Sequence, residues 1–256
     1  MRCIIIAAGM GSRLEHYTEE RPKCMVQVGG RSILDHQLEA LRANGVDDLH
    51  IVRGYLADRL VVEGATYWAN EEYRDNNILH SLFRAREAMR GAFLSTYSDI
   101  VYEASVVERL LESEGDIVLV VDRQWDRAYV GREDHPVEQA ELVEVDAATG
   151  NVARVGKWVG PEEAVGEFIG LAKYSEQGAS WMREVWEELC ESYGLDDPFQ
   201  HAAKFRKAYL ADMFTELVAR GYPVRIVAID GGWREIDTVQ DLERVNREGY
   251  ASNRDA

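Results

Sequence analysis

The sequence predicts an α/β fold, with a mixed, mostly parallel sheet between helices and a β-rich flap inserted over one end. Three observations carry this expectation. Residues 2–8 read as a buried strand, apolar at consecutive positions from Cys3 to Ala8, as befits a strand covered on both faces. Strand-like and amphipathic helical stretches then alternate as far as residue 121. Beyond it, two β-rich stretches flank the polar run Asp146-Ala147-Ala148-Thr149-Gly150-Asn151, the pattern of a hairpin.

The first strand runs into Gly9-Met10-Gly11-Ser12-Arg13-Leu14, which reads as a loop because two glycines interrupt any apolar period. Ser32-Ile33-Leu34-Asp35 has capping-box spacing, and Leu34, Leu38 and Leu41 recur at helical intervals until Asn44-Gly45 ends the helix. A strand at 49–52 completes a βαβ unit. Asn77 is the expected cap of a helix whose Ile78, Leu82, Ala85 and Met89 share a face up to Arg90-Gly91. Strands are expected at 92–97 and 116–121, separated by a helix at 104–111. The hairpin pairs 140–145 with 152–155, and a further strand covers 167–174. Helices at about 178–192 and 199–220, a strand at 224–229 and a second capping box, Thr238-Val239-Gln240-Asp241, finish the chain.

At 256 residues, one domain over 1–256 is expected, with a flap at about 122–174 and a flexible tail from about Ser252. The formal charge of -17 argues against a nucleic-acid partner, because phosphate backbones are gripped by Lys and Arg. A small anion is different, since it needs only a local basic cluster or a metal held by carboxylates. The 3 cysteines, Cys3, Cys24 and Cys190, lack zinc or disulfide spacing, the first apolar run is too short for a signal peptide, and no stretch approaches a bilayer span. A cytoplasmic location with no membrane partner is expected.

Ligands of open α/β sheets gather at the carboxyl ends of strands. The first such end carries Gly9 and Gly11, which allow close backbone approach to phosphates, and Arg13 and Lys23 add positive charge in the same long loop. The third glycine of a dinucleotide fingerprint is absent, and no G-K-[ST] closes a P-loop. Asp99 follows one strand and Asp237 precedes a capped helix; such carboxylates are turn formers or caps when isolated, and Mg²⁺ ligands if the sheet brings them together.

The run Ala7-Ala8-Gly9-Met10-Gly11-Ser12-Arg13-Leu14, then Arg21-Pro22-Lys23-Cys24-Met25, Ser98-Asp99-Ile100 and Trp233-Arg234-Glu235-Ile236-Asp237-Thr238, resembles the nucleoside-triphosphate transferase family. Within it, Asn76-Asn77-Ile78-Leu79-His80-Ser81-Leu82 is similar to the small phosphonate and choline-phosphate cytidylyltransferases. The resemblance implies a Rossmann-like nucleotidyltransferase fold. It also implies nucleotide contacts from Ala7, Ala8, Gly9, Gly11, Ser12, Asn77 and Ser81, triphosphate binding by Arg13 and Lys23, and Mg²⁺ held by Asp99 and Asp237. Ser98 departs from the Gly or Ala common before the first metal-binding Asp, and leaves the carboxylate in place.

The expected reaction is in-line attack by an acceptor phosphate or phosphonate oxygen on the α-phosphorus of CTP, releasing pyrophosphate. The acceptor is already an anion, so no enzyme nucleophile is expected. Lys157, after the hairpin, reaches the acceptor or α-phosphate or else lies on the surface. Trp125, Tyr129, Trp158 and Trp233, with Glu167, supply an aromatic cage for a quaternary ammonium or else pack the flap against the sheet. The preferred acceptors are 2-hydroxyethylphosphonate and 2-aminoethylphosphonate. Phosphocholine, a sugar 1-phosphate and a non-catalytic CTP-sensing role are the alternatives. An apolar face on the 199–220 helix either completes the core or supports a homodimer.

Overall fold

Alternation along β1 (Arg2–Ala7) divides the interior: Cys3 and Ile5 face one hydrophobic core, Ile4 and Ile6 the other. The computed structural model describes residues 1–250; the tail expected from Ser252 lies outside the described residues. After β1, the glycine loop tightens into 3-10 turns over Ser12–Thr18 rather than staying irregular to Leu14. A short hairpin, β2 (Gln27–Val28) and β3 (Arg31–Ser32), leads into α1 (Ile33–Ala43), whose Ser32 and Asp35 form the expected capping box. β4 (Asp48–Arg53) pairs parallel with β1, and β5 (Thr66–Ala69), which no sequence pattern announces, extends that edge.

α2 (Ile78–Arg84) is shorter than expected. It breaks at Ala85 into a 3-10 turn over Arg86–Met89, and Asn77 stands at the expected N-cap position but its side chain donates to the Lys207 carbonyl at 3.0 Å and makes no capping bond. β6 (Phe93–Tyr97) lies parallel to β1 on its other side, followed by β7 (Ile100–Tyr102), α3 (Ala104–Glu112), β8 (Ile117–Asp122) and the short α4 (Asp126–Tyr129). The expected hairpin is present as β9 (Leu142–Val145) and β10 (Val152–Gly156). It extends the main sheet through β11 (Gly166–Tyr174), which runs antiparallel to β6, β8 and β9. Gly170 in β11 has φ 86° and abuts Tyr97, where an added Cβ would lie 2.4 Å from the ring, so only glycine fits there.

α5 (Glu176–Ser192) is as expected, but the second long helix is not. Residues from Phe199 form an isolated bridge with Ala202 and a 3-10 turn, and only α6 (Leu210–Ala219) is regular. The apolar face expected over 199–220 is assembled from α6 and from this irregular stretch, where Phe199 and Phe205 are both buried. That face completes the core with α2 and α5. β12 (Val224–Ile229) pairs parallel with β8; β13 (Trp233–Glu235) pairs with β7; α7 (Val239–Glu248) closes the chain on the expected Thr238–Asp241 capping box. The result is an α/β architecture whose mixed sheet has α2, α5 and α6 over one face and α1 and α3 over the other. Among the described residues, no helix is long and apolar enough to cross a membrane.

Candidate active site

The antiparallel pairing of β7 with β13 joins the two distant aspartates. Glu235 lies opposite Ile100, and the Ile236 amide donates to the Asp99 carbonyl at 2.8 Å, so Asp99 and Asp237 emerge side by side. Lys23 fills the space between them, its Nζ 2.8 Å from Asp99 Oδ2 and 2.6 Å from Asp237 Oδ1. Gly11, at φ 62°, is what lets the glycine loop descend onto Lys23: a Cβ there would lie 2.8 Å from the Lys23 Cβ. Arg13 donates to the second oxygen of Asp237, and His135 Nδ1 lies 2.8 Å from that same oxygen.

Burial alone would push the Lys23 ammonium down, yet the charges of Asp99 and Asp237 outweigh it and hold it above its ordinary value. For Asp237, burial opposes ionisation, and Lys23, His135 and Arg13 together still hold the carboxyl well below the usual carboxylate range. Asp99 Oδ1 is buried without a hydrogen-bond partner in the structure. Two carboxylates sharing one cation, with an oxygen to spare, are a donor set suited to a hard divalent ion.

Two chambers meet at this cluster. The larger, about 550 Å³, is walled by Ala7, Ala8, Gly9, Gly11 and Ser12 on one side and by Asn77, Ser81 and Lys207 on the other, with Arg13, Lys23, Asp99 and Asp237 at its floor. The smaller, about 250 Å³, shares Arg13, Asp99 and Asp237 and continues past Tyr97, Glu141, Lys157, Glu167, Tyr209 and Trp233. Lys157 points its ammonium at the Tyr209 ring, 4.4 Å from the centroid, and at Gln139 Oε1, 3.0 Å away.

The aromatics divide. Trp233 lines the smaller chamber with its indole N–H donating to Asp122 Oδ2 at 2.8 Å, whereas Tyr129 lines neither chamber and donates to Glu167 Oε1 at 2.6 Å. Trp125 lines neither chamber; it is buried against Ala140, Leu142 and Val159, so its part is packing rather than acceptor contact. Trp158 stacks on His201 in an adjoining hollow, with centroids 4.1 Å apart.

Sequence reasoning does not single out Glu141, His135, Arg132 or Lys207. Glu141 accepts from Tyr97 at 3.1 Å, and burial, partly offset by Lys157, raises its carboxyl to about 7. Burial, reinforced by Glu235 and opposed by Tyr129 and Arg132, raises Glu167 to about 8. Arg132 ties the segment before the hairpin to α7, donating to both oxygens of Asp241 at 2.7 and 2.8 Å and to Glu235 at 2.7 Å. The 126–139 stretch has no periodicity to betray the inward-facing Arg132 and His135.

A family model described as the MobA-like NTP transferase domain matches residues 3–222. A curated CTP:phosphoglutamine cytidylyltransferase of Campylobacter jejuni is 31% identical over 95% of this chain and 98% of its own length. A choline-phosphate cytidylyltransferase of Streptococcus pneumoniae is 28% identical over 67% of this chain and 76% of its own. The solved CTP:phosphocholine cytidylyltransferase of that species superposes with a TM-score of 0.72 at 20% identity, covering 96% of this chain and 97% of that one, and so bears on the fold alone. With the model spanning most of the sheet and one relative matched nearly end to end, the chain belongs to the MobA-like NTP transferase family.

Proposed function

We propose that the protein is a cytidylyltransferase that transfers CMP from CTP to a small phosphorylated acceptor carrying a cationic nitrogen. The observation that carries the reading is the pair of adjoining chambers sharing Asp99 and Asp237, one walled by the glycine loop, the other by two buried carboxyls and aromatic rings. The names of the two curated relatives support CTP as the donor. They also favour an acceptor such as phosphocholine or phosphoglutamine, whose nitrogen is cationic, over the hydroxyalkyl phosphonates.

In the proposed reaction an acceptor phosphate oxygen attacks the α-phosphorus. A new P–O bond forms as the bond to the β-phosphate bridging oxygen breaks, and pyrophosphate departs with that electron pair. Asp99 and Asp237 would hold Mg²⁺, which when bound offsets charge on the phosphates. The chain's own part is electrostatic and positional. Arg13 and Lys23 neutralise the triphosphate, and the glycine loop presents its backbone to it. His135 orients the Asp237 carboxylate, and Glu141 and Glu167 draw the acceptor's cation into the smaller chamber so that its phosphate faces Asp99. No side chain needs to accept a proton, because the nucleophile is already an anion.

A panel of phosphocholine, phosphoglutamine, 2-aminoethylphosphonate, 2-hydroxyethylphosphonate and glucose 1-phosphate, read by product mass with CTP and Mg²⁺, tests this. The cationic phosphates should give CMP-linked products with stoichiometric pyrophosphate. Turnover confined to glucose 1-phosphate or to 2-hydroxyethylphosphonate would refute the acceptor reading, and CTP binding without pyrophosphate from any acceptor would refute catalysis.

The acceptor's affinity should also depend on pH. Glu141 and Glu167 carry protons up to about 7 and about 8, and only their ionised forms attract a cation. The acceptor KM is therefore expected to fall as pH rises from 6 to 8.5, approaching about tenfold per pH unit while a carboxyl is below its pKa and levelling off above it. Glu167→Gln should flatten that fall and raise KM at the alkaline end. The variant binds the same acceptor, so titration of the acceptor phosphate cancels in the comparison.

A further inference from the structure

Beneath the larger chamber, outside its lining, lies a buried amide at the end of β5. Asn70 has no exposed surface. Its Nδ2 donates to Asn76 Oδ1 at 2.8 Å and to Ser81 Oγ at 2.9 Å, while its Oδ1 accepts from Asn76 Nδ2 at 2.9 Å. The Ser81 hydroxyl donates onward to the Asn77 carbonyl at 3.1 Å. Asn76 and Ser81 are chamber-lining residues; Asn70 touches both without reaching the chamber.

We infer that Asn70 is a positioning residue that sets the choice of pyrimidine by fixing which hydrogen-bonding groups Asn76 and Ser81 turn toward the base. A lone buried asparagine offers a base either its oxygen or its nitrogen after a flip of the amide. Here the reciprocal amide pair means that Asn76 cannot flip unless Asn70 does, and Asn70 is held by a third contact, to Ser81. The pair consumes one N–H and one oxygen lone pair of Asn76 and leaves one of each on opposite flanks of the amide, so a base edge meets one of them and finds its second partner at Ser81, whose hydroxyl already donates to the Asn77 carbonyl and offers a lone pair. Cytosine and uracil carry opposite patterns at the edge such groups read: the first has an acceptor ring nitrogen beside a donor amine, the second a donor ring N–H beside an acceptor oxygen. A fixed donor and acceptor accepts one pattern and leaves buried polar groups unpaired against the other, which is how polar sites discriminate strongly. Asn70 itself is reached through the Arg53 carbonyl, which accepts from its backbone amide at 2.7 Å, so β4 and β5 fix its place.

This inference rests on the larger chamber being the CTP site. The test is the ratio of kcat/KM for CTP to that for UTP, measured with one acceptor, in the wild type, Asn70→Ala and Asn70→Asp. The wild type should prefer CTP; if it uses UTP equally well, the CTP reading fails before any variant is considered. Given that preference, both variants should lower the ratio tenfold or more, chiefly by gaining on UTP, with kcat for CTP less affected. Equal losses on both nucleotides, leaving the ratio unchanged, would reduce Asn70 to a packing role and overturn the inference. Should those two variants fail to fold, Asn70→Ser keeps a hydrogen-bonding group at the buried site while breaking the reciprocal amide pair, and the same ratio is read. A fall supports the lock, and an unchanged ratio overturns it.

Discussion

Lys23→Met should lower kcat/KM by about 10³-fold or more, the scale on which a cation at a transferring phosphoryl group acts. The same substitution should destabilise the ligand-free protein, and for a separable reason. Lys23 is buried between Asp99 and Asp237, and removing one partner of a buried ion pair leaves uncompensated charge at a cost of about 3–5 kcal/mol. For a chain of this length that corresponds to a fall in Tm of at least about 6 °C. Millimolar Mg²⁺ should return part of it, because a divalent ion can take the place the ammonium leaves. Thermal melts with and without Mg²⁺ read this directly: the ion should raise the Tm of K23M more than that of the wild type. Turnover within tenfold of wild type, or a melt indifferent to Mg²⁺, would separate Lys23 from the role given to it.

Asp237→Asn should be as damaging to turnover, with an opposite sign in binding. Asp237 is contacted by Lys23, Arg13 and His135, and the amide keeps its shape while losing its charge. The kcat is expected to fall about 10³-fold or more, as when a group acting in the transition state is lost. Without metal, however, the variant should bind CTP at least as tightly as the wild type, since one of the carboxylates repelling the triphosphate is gone, Arg13 loses its ionic partner and Lys23 is left with Asp99 alone. Equilibrium binding of CTP in EDTA, set beside kcat in Mg²⁺, distinguishes this split from simple misfolding, which would weaken both.

What the sequence makes legible follows from locality. The Ser32–Asp35 and Thr238–Asp241 capping boxes, the apolar run of β1 and the polar turn at Asp146–Asn151 are encoded within a few residues, and each forms as expected. Where burial comes from distant partners, the pattern misleads. Phe199 and Phe205 lie in a stretch read as one long helix but are buried from an isolated bridge and a 3-10 turn, and Asn77 has a capping residue's chemistry yet its side chain bonds to the Lys207 carbonyl. β7 and β13 are three residues each, too short to show alternation, although their pairing is what places Asp99 beside Asp237.

The same logic runs through the site. The glycine loop, Lys23 and the aspartates are marked by residue type and position after strands. Glu141 and His135 are ordinary surface residues by type; only the fold turns them inward, onto Tyr97 and Asp237. Trp125 shows the converse, a residue whose chemistry suits a cation cage but whose neighbours are Ala140, Leu142 and Val159.

Underlying the proposed chemistry is one claim, that the pocket between Asp99 and Asp237 exchanges the Lys23 ammonium for a divalent ion when CTP arrives. A crystal structure grown with CTP and Mn²⁺ and read by its anomalous signal tests this most directly. An ion in contact with both carboxylates, with the Lys23 Nζ turned from their midst to a phosphate oxygen, is expected. Mn²⁺ bound to neither, and the Lys23 bridge intact beneath a seated nucleotide, would contradict it.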